Sequence, residues 1–216
     1  MRRMVGFASK ALPVLLLLIL AMPCSGQDAK TVLAELQDRY DELVDLEVDF
    51  TQEVHSGVFA SVERTSGKMY LASGDKFRVQ TDEQAIVSDG ELLWVYSKEN
   101  KQVTIDKVAK SHDLVRPSDY LFSFREAYRH ELLPDTVIEK DECTVVRLVC
   151  EEKNEFIQQM TLYISKSDLL THRAVYVDIN GNTVIVDFSD LKIDEGLPDD
   201  IFRFKTPKGV EEVRLP

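Results

Sequence analysis

The sequence is short of cysteine, of basic charge and of every common catalytic signature, and each shortage removes a class of function. Of its three cysteines, Cys24 falls at the end of an N-terminal leader, which leaves Cys143 and Cys150. Seven residues apart on one continuous strand, these two face opposite ways with Cα atoms roughly 23 Å apart. A disulfide needs Cα atoms within roughly 7 Å, so they read as small buried hydrophobes. His55, His112, His130 and His172 are scattered, with no His-x-x-x-His or Cys-x-x-Cys spacing to hold zinc. There is no Gly-x-Ser-x-Gly elbow, no Gly-rich phosphate loop and no dinucleotide fingerprint. Acidic pairs such as Asp199-Asp200 and Glu211-Glu212 read as solvated turns. The chain therefore reads as a binding protein rather than an enzyme, with no cofactor or metal expected.

Basic residues number 26 against 38 acidic ones. Residues 1–26 hold three cations (Arg2, Arg3, Lys10) and no acid, so removing them takes the formal charge from −12 to −15. Such a chain repels nucleic acid phosphates and anionic surfaces.

What is present starts with an export signal. The basic start is followed by an apolar core over residues 12–22, interrupted only by Pro13, and by the small residues Ser25-Gly26 after Cys24. The run is too short for a comfortable transmembrane helix, which needs about 20 residues. Residues 1–26 are read as a cleavable signal peptide, with Gln27 as mature N-terminus and residues 27–216 as a single domain. Pro23 directly before Cys24 fits poorly with acylation of that cysteine.

Residues 31–44 have the spacing of an amphipathic helix, with Leu33, Leu36, Tyr40 and Leu43 on one face. From Leu46 the period changes to two, and strands follow one another to the end of the chain. The most informative stretch is Val87-Ser-Asp-Gly-Glu-Leu-Leu-Trp-Val-Tyr96. Asp89-Gly90 marks a turn, and the run from Leu92 to Tyr96 is apolar on both faces, so each face needs a cover. Residues 117–128, with Leu121, Phe124 and Tyr128 at helical spacing, read as a short helix inserted among strands. Asn180-Gly181 is the strongest hairpin signal. Met160, Leu162 and Ile164 share one face of their strand, as do Val175, Val177 and Ile179, and Val184, Val186 and Phe188.

The strands thus present more apolar face than two helices can cover. A sheet can cover itself by curling, and eight or more strands can enclose a ligand cavity. A half-open barrel with helical covers and an apolar cavity is the favoured architecture. Phe50, Phe77, Trp94, Tyr96 and Met160 are residue types that suit either the wall of such a cavity or plain core.

The order of these residues resembles the periplasmic lipoprotein carrier family, LolA. The matching pieces are Phe50-Thr-Gln52, Ser88-Asp-Gly-Glu-Leu-Leu-Trp-Val-Tyr96, Gln102-Val103, Phe202-Arg-Phe204 and Pro207-Lys-Gly-Val210, spread over nearly the whole chain after the leader. The resemblance implies a mainly β (α+β) fold, a half-open antiparallel β-barrel of about 11 strands, with the N-terminal helix and the inserted helix as lid. It implies a soluble, monomeric periplasmic carrier. Such a carrier accepts acylated lipoproteins from an inner-membrane lipoprotein-releasing ABC transporter and delivers them to an outer-membrane acceptor. Two alternatives share the fold: an envelope sensor or adaptor binding acylated proteins without transport, and a membrane-anchored LolB-type acceptor. Acyl chains are expected against Phe50, Met69, Leu71, Phe77, Val79, Ile86, Trp94, Met160, Leu162, Ile164, Val175 and Val177. The lid surface is expected from Leu33, Leu36, Tyr40, Leu43, Leu121 and Phe124. Family members often carry Arg-Pro where Ser73-Gly74 stands here, so the arginine associated with lid closure is missing, and Lys76 and Arg78 are its nearest substitutes.

Overall fold

In the computed structural model, which describes residues 28–108, 128–152 and 155–215, the first element begins where a side chain can cap it. Asp28 Oδ1 accepts the Thr31 N–H at 2.7 Å, which satisfies one of the orphan donors of a helix start. Helix α1 therefore spans Ala29–Asp41, starting and ending before the expected 31–44. Leu33, Leu36 and Tyr40 are buried, and Leu43 lies past the helix end, half-buried against the same cluster.

Among the described residues, twelve strands follow. They are β1 (Asp45–His55), β2 (Val62–Ala72), β3 (Lys76–Thr81), β4 (Gln84–Asp89), β5 (Leu92–Ser97), β6 (Gln102–Lys107), β7 (Tyr128–Ile138), β8 (Asp141–Cys150), β9 (Ile157–Ser165), β10 (Thr171–Asp178), β11 (Thr183–Ile193) and β12 (Glu211–Arg214). All join one sheet in the order β12-β6-β5-β4-β3-β2-β1-β11-β10-β9-β8-β7. Among the described residues the sheet is open, with edges at β12 and β7, and its twelve strands are close to the expected number of about 11. Two expectations change. Tyr128 opens β7 rather than completing a helix, and the rest of residues 117–128 lies outside the described residues. Glu211-Glu212, read as a solvated turn, begins β12, which pairs in parallel with β6. A short, charged strand is a common way to blunt a sheet edge. Cys143 and Cys150 are both free, on one strand, as their spacing required.

The register sorts side chains between two faces. Phe50, Met69, Leu71, Phe77, Val79, Ile86, Leu93 and Val95 share one face through successive cross-strand pairs; this is the concave face. On its β7–β10 half, α1 packs against Val146, Leu148, Met160, Leu162 and Ile164. The convex face carries Val87, Trp94 and Tyr96, with Val103 and Ile105 opposite them on β6. Its cover is the C-terminal segment. A 3-10 helix over Asp199–Phe202 lies against β3 and β4, Phe202 is buried at 2 % exposure, and the Phe204 ring stands 5.4 Å from that of Tyr96. Arg78 donates to the Ile201 carbonyl at 3.1 Å, and the Lys76 ammonium meets Asp199 at 2.9 Å. Both cations thus clasp the C-terminal segment on the convex face; neither takes the place of a lid arginine on the concave one.

The Asn180-Gly181 hairpin departs from its expected form. A two-residue loop there would pair Val177 with Val184 and put Val175 and Val177 beside Val184 and Val186. Instead Val177 pairs with Thr183, and Ala174 with Val186. Asp178 causes the shift. Its carboxylate accepts the N–H groups of Asn180 (2.8 Å) and Asn182 (2.9 Å) and the Asn182 side-chain amide (2.8 Å). Asp178 N–H also donates to the Asn182 carbonyl. The result is a three-residue loop closed by Gly181 at φ +79°, a recognised alternative to the tight turn. One residue of slip exchanges the faces, so Ala174 and Tyr176 are concave, and Val175 and Val177 are convex.

Helix α1 is fastened to the β9–β10 turn. Arg39 Nε donates to the Asp168 carbonyl at 3.1 Å, and Tyr40 Oη accepts the Thr171 N–H at 3.4 Å. His172 sits between two carboxylates, with Nε2 2.9 Å from Asp168 and Nδ1 3.3 Å from Asp141. The hydrogen bond to Asp168 chiefly raises the His172 pKa above its ordinary value, against the opposing effect of partial burial. Burial works to raise Asp168, but the His172 and Leu170 hydrogen bonds outweigh it and leave its pKa lowered.

Two outcomes are expected. Leu36, at 0 % exposure, anchors α1, and Leu36→Ala should lower unfolding free energy by about 2–5 kcal/mol, measurable by urea denaturation. The His172 contribution is complete below the unfolded histidine pKa of 6.5 and fades as pH rises through its raised folded value. That of Asp168 is complete above its unfolded 3.8 and fades as pH falls through its lowered value. The pair therefore adds most between about pH 4 and pH 6.5. Melting curves of His172→Gln against the parent should converge above that window; a gap unchanged up to pH 9 refutes the assignment.

Candidate functional site

The concave face is left uncovered by α1 over β1–β4, and there it forms a cavity of about 650 Å³. One wall is Phe50, Met69, Phe77, Val79 and Ile86; the other is Ala174, Tyr176, Val186 and Phe188. Ile86 and Tyr176 lie on strands five positions apart in the sheet order, which in a flat sheet means about 24 Å. That both border one cavity shows that the sheet curls around it.

Glycine at position 67 makes room for the floor. Gly67 pairs with Phe50 across β1 and β2. A Cβ there would lie 2.9 Å from the Phe50 ring and 2.2 Å from the Gln80 carbonyl oxygen. The Phe50 ring thus lies over bare backbone, which no other residue would permit without displacement.

Polarity changes abruptly at the mouth. Gln52, Arg64, Thr65 and Ser66 stand on one side and Thr81, Asp82, Glu83 and Gln84 on the other. Every formally charged residue of the lining is in this rim. Arg64 is tied to Glu53, with Nε 2.7 Å from its carboxylate. An apolar interior with a polar, partly charged rim is the pattern of a site for an amphipathic ligand, and the volume lies within the roughly 300–1,000 Å³ of small-molecule pockets. Among the described residues, no group of three or more His, Cys, Asp or Glu could hold a metal ion.

The expected site residues separate into three groups. Phe50, Met69, Phe77, Val79 and Ile86 line the cavity. Leu71 borders a second cavity of about 310 Å³ with Tyr40, Leu43 and Phe77, so Phe77 stands between the two. Met160, Leu162 and Ile164 share the concave face but are core beneath α1, where Leu33 and Leu36 also lie. Trp94, Val175 and Val177 are corrected to the convex face, Trp94 by its pairing with Val87 and Ile105 and the two valines by the slipped hairpin. Leu121 and Phe124 fall outside the described residues. The expected site lacked Ala174, Tyr176, Val186 and Phe188; the last two were read only as sharing a strand face with Val184. Counting back from Val184 and Val186 across a three-residue loop would have found the first two.

Residues 42–205 match the family described as "Outer membrane lipoprotein carrier protein LolA". A protein of Legionella pneumophila (strain Corby) named outer-membrane lipoprotein carrier protein is 29 % identical over 204 residues, covering 93 % of this chain and 97 % of its own. A protein of the same name from Actinobacillus succinogenes is 28 % identical over 211 residues, covering 94 % and 93 %. Among solved structures, an uncharacterized conserved protein from Thermus thermophilus superposes with a TM-score of 0.60 at 15 % identity. That match covers 87 % of this chain and 99 % of that one, and it is a likeness of fold.

Proposed function

The chain belongs to the LolA family of outer-membrane lipoprotein carriers, and on that premise we propose that it is a soluble, monomeric periplasmic carrier of acylated lipoproteins. In this reading the signal peptide over residues 1–26 exports it. An inner-membrane ABC transporter releases the cargo to it, and an outer-membrane acceptor receives the cargo from it. The observation that carries the proposal is the cavity. Phe50, Met69, Phe77, Val79 and Ile86 give acyl chains an apolar wall, and Tyr176, Val186 and Phe188 give them a second.

The physical logic is partition without chemistry. Each buried methylene of an acyl chain is worth about 0.8 kcal/mol, so a chain leaves water readily for such a wall. The polar headgroup and the first residues of the cargo stay at the mouth, where Gln52, Thr65, Ser66 and Gln84 offer hydrogen-bonding groups. The carrier needs no cofactor, because the transporter supplies the energy of release.

Two experiments test the proposal. Val79→Asp and Ile86→Asp each place a charge on the cavity wall and should weaken binding of a fluorescent fatty-acid probe more than tenfold, while Val175→Asp on the convex face should leave it near the parent value. Trp94 emission should be unmoved by the ligand, since its side chain is on the other side of the sheet, whereas a tryptophan introduced as Val79→Trp should respond. Equal affinity across all three Asp variants refutes the cavity. Separately, the protein should release a lipoprotein from inner-membrane vesicles containing the transporter only when ATP is present. Acyl binding without ATP-dependent release leaves a binding protein of this fold that is not a carrier.

A further inference from the structure

The geometry points to an insertion tip: the end of the sheet formed by the β1–β2 and β10–β11 loops is a surface that enters the uncharged, apolar interface of a lipid bilayer. The proposal does not depend on the carrier reading, because it concerns the free chain and a lipid surface.

Phe59 is 82 % exposed and Val58 73 %, adjacent at the tip of the β1–β2 loop. Their outward posture is built. Ser56 Oγ accepts the N–H groups of Val58 (3.3 Å) and Phe59 (3.2 Å), the Ser56 N–H donates to the Ser61 carbonyl at 3.0 Å, and Ala60 holds φ at +49°. The β10–β11 loop buttresses this one. Gly57 N–H donates to Asn182 Oδ1 at 3.3 Å, and the two backbones are so close that a Cβ on Gly57 would lie 2.5 Å from the Gly181 carbonyl oxygen. That second loop carries Ile179, 49 % exposed, whose N–H donates to the Phe156 carbonyl, and Phe156 is itself 49 % exposed. Three loops thus present four exposed apolar side chains at one end of the sheet.

Charge decides what they meet. Residues 54–62 and 179–186 contain no Asp, Glu, Lys or Arg, in a chain with 38 acidic residues. Of the carboxylates that flank the β1–β2 loop, Glu53 is occupied by Arg64 and His55, and the exposed Glu63 on β2 marks where the uncharged tip ends. A site for a charged protein partner would keep charges for steering and register, whereas insertion into a bilayer penalises each one. Exposed apolar side chains carried on loop tips also suit a fluid medium better than a surface of fixed shape. The β8–β9 loop carries Glu151, Glu152 and Glu155 against the single cation Lys153. This net acidity disfavours anionic lipid and keeps that loop at headgroup level, with insertion left to the uncharged β1–β2 and β10–β11 loops. The β3–β4 turn, which supplies Thr81 to Gln84 of the cavity rim, is at this same end of the sheet, so insertion would bring the mouth toward the lipid.

The test is flotation of the chain comprising residues 27–216 with vesicles of pure phosphatidylcholine, alongside Phe59→Asp and, as control, Val137→Asp at the opposite end of β7, where the parent valine is also exposed. The parent should float with the vesicles, Phe59→Asp should partition at least about tenfold more weakly, as loss of one buried phenylalanine requires, and Val137→Asp should match the parent. Melting temperatures should be equal, because Phe59 is in solvent. In a Trp94→Phe background, Phe59→Trp emission should shift to the blue on adding vesicles. Failure of the parent to float, equal flotation of Phe59→Asp, or stronger binding to phosphatidylglycerol vesicles at low salt overturns the proposal, the first in favour of a protein's apolar groove. Fatty-acid probe affinity of Phe59→Asp should stay at the parent value, which separates this surface from the cavity.

Discussion

The structure depends on a mismatch of area. Twelve strands at about 4.8 Å spacing make a sheet some 50 Å wide, while α1, with 13 residues, is about 20 Å long and 10 Å across. One such helix covers a few strands. Burying apolar surface is the main favourable term in folding, so the remainder must be met otherwise. The sheet does so by curling, by laying its C-terminal segment over the convex side of β3–β6, and by leaving the concave side of β1–β4 as a cavity wall. Among the described residues, the cavity is thus what remains where α1 and the C-terminal segment end.

Much of this was legible in the sequence because period and turn chemistry are local. The alternation from Leu46 onward placed β1, and Asp89-Gly90 placed the β4–β5 hairpin. Gly90, at φ +95°, is the first loop residue, so Ile86 faces Val95, and Val87 faces Trp94. The run from Leu92 to Tyr96 is apolar on both faces, and the register puts Leu93 and Val95 on one and Trp94 and Tyr96 on the other. Which cover lies on which face was not legible, because Trp94 looks like a ligand-binding residue by type and only long-range pairing shows that its side belongs to the C-terminal segment.

The slipped hairpin is the sharper case. Val175 and Val177 are the more apolar alternate of β10, and a tight Asn180-Gly181 turn would have made them concave. Asp178 overrides that pattern with three hydrogen bonds to Asn180 and Asn182. They outweigh its burial at 6 % exposure and hold its carboxyl below the usual range. The outcome places Tyr176, with its polar tip, and the small Ala174 on the cavity wall, and leaves two β-branched residues on the outer side, where they suit a strand. Turn chemistry two residues outside the dipeptide that names the turn decided the composition of the site.

The two cations nearest the missing arginine lead to a related conclusion. Lys76 and Arg78 alternate with Phe77 and Val79, so a strand that gives its apolar residues to the cavity must send these cations to the opposite face. There they meet Asp199 and the Ile201 carbonyl and hold Phe202 and Phe204 over β3–β5. A latch across the cavity cannot come from either without flipping the strand. The same alternation that builds the apolar wall therefore removes positive charge from it, and every charge that borders the cavity is at its rim, in Arg64, Asp82 and Glu83. Among the described residues, what borders the cavity and could fasten a cover is the apolar wall and those rim charges. An exposed rim charge is a weak fastening, which fits the proposed carriage and release of a hydrophobic ligand.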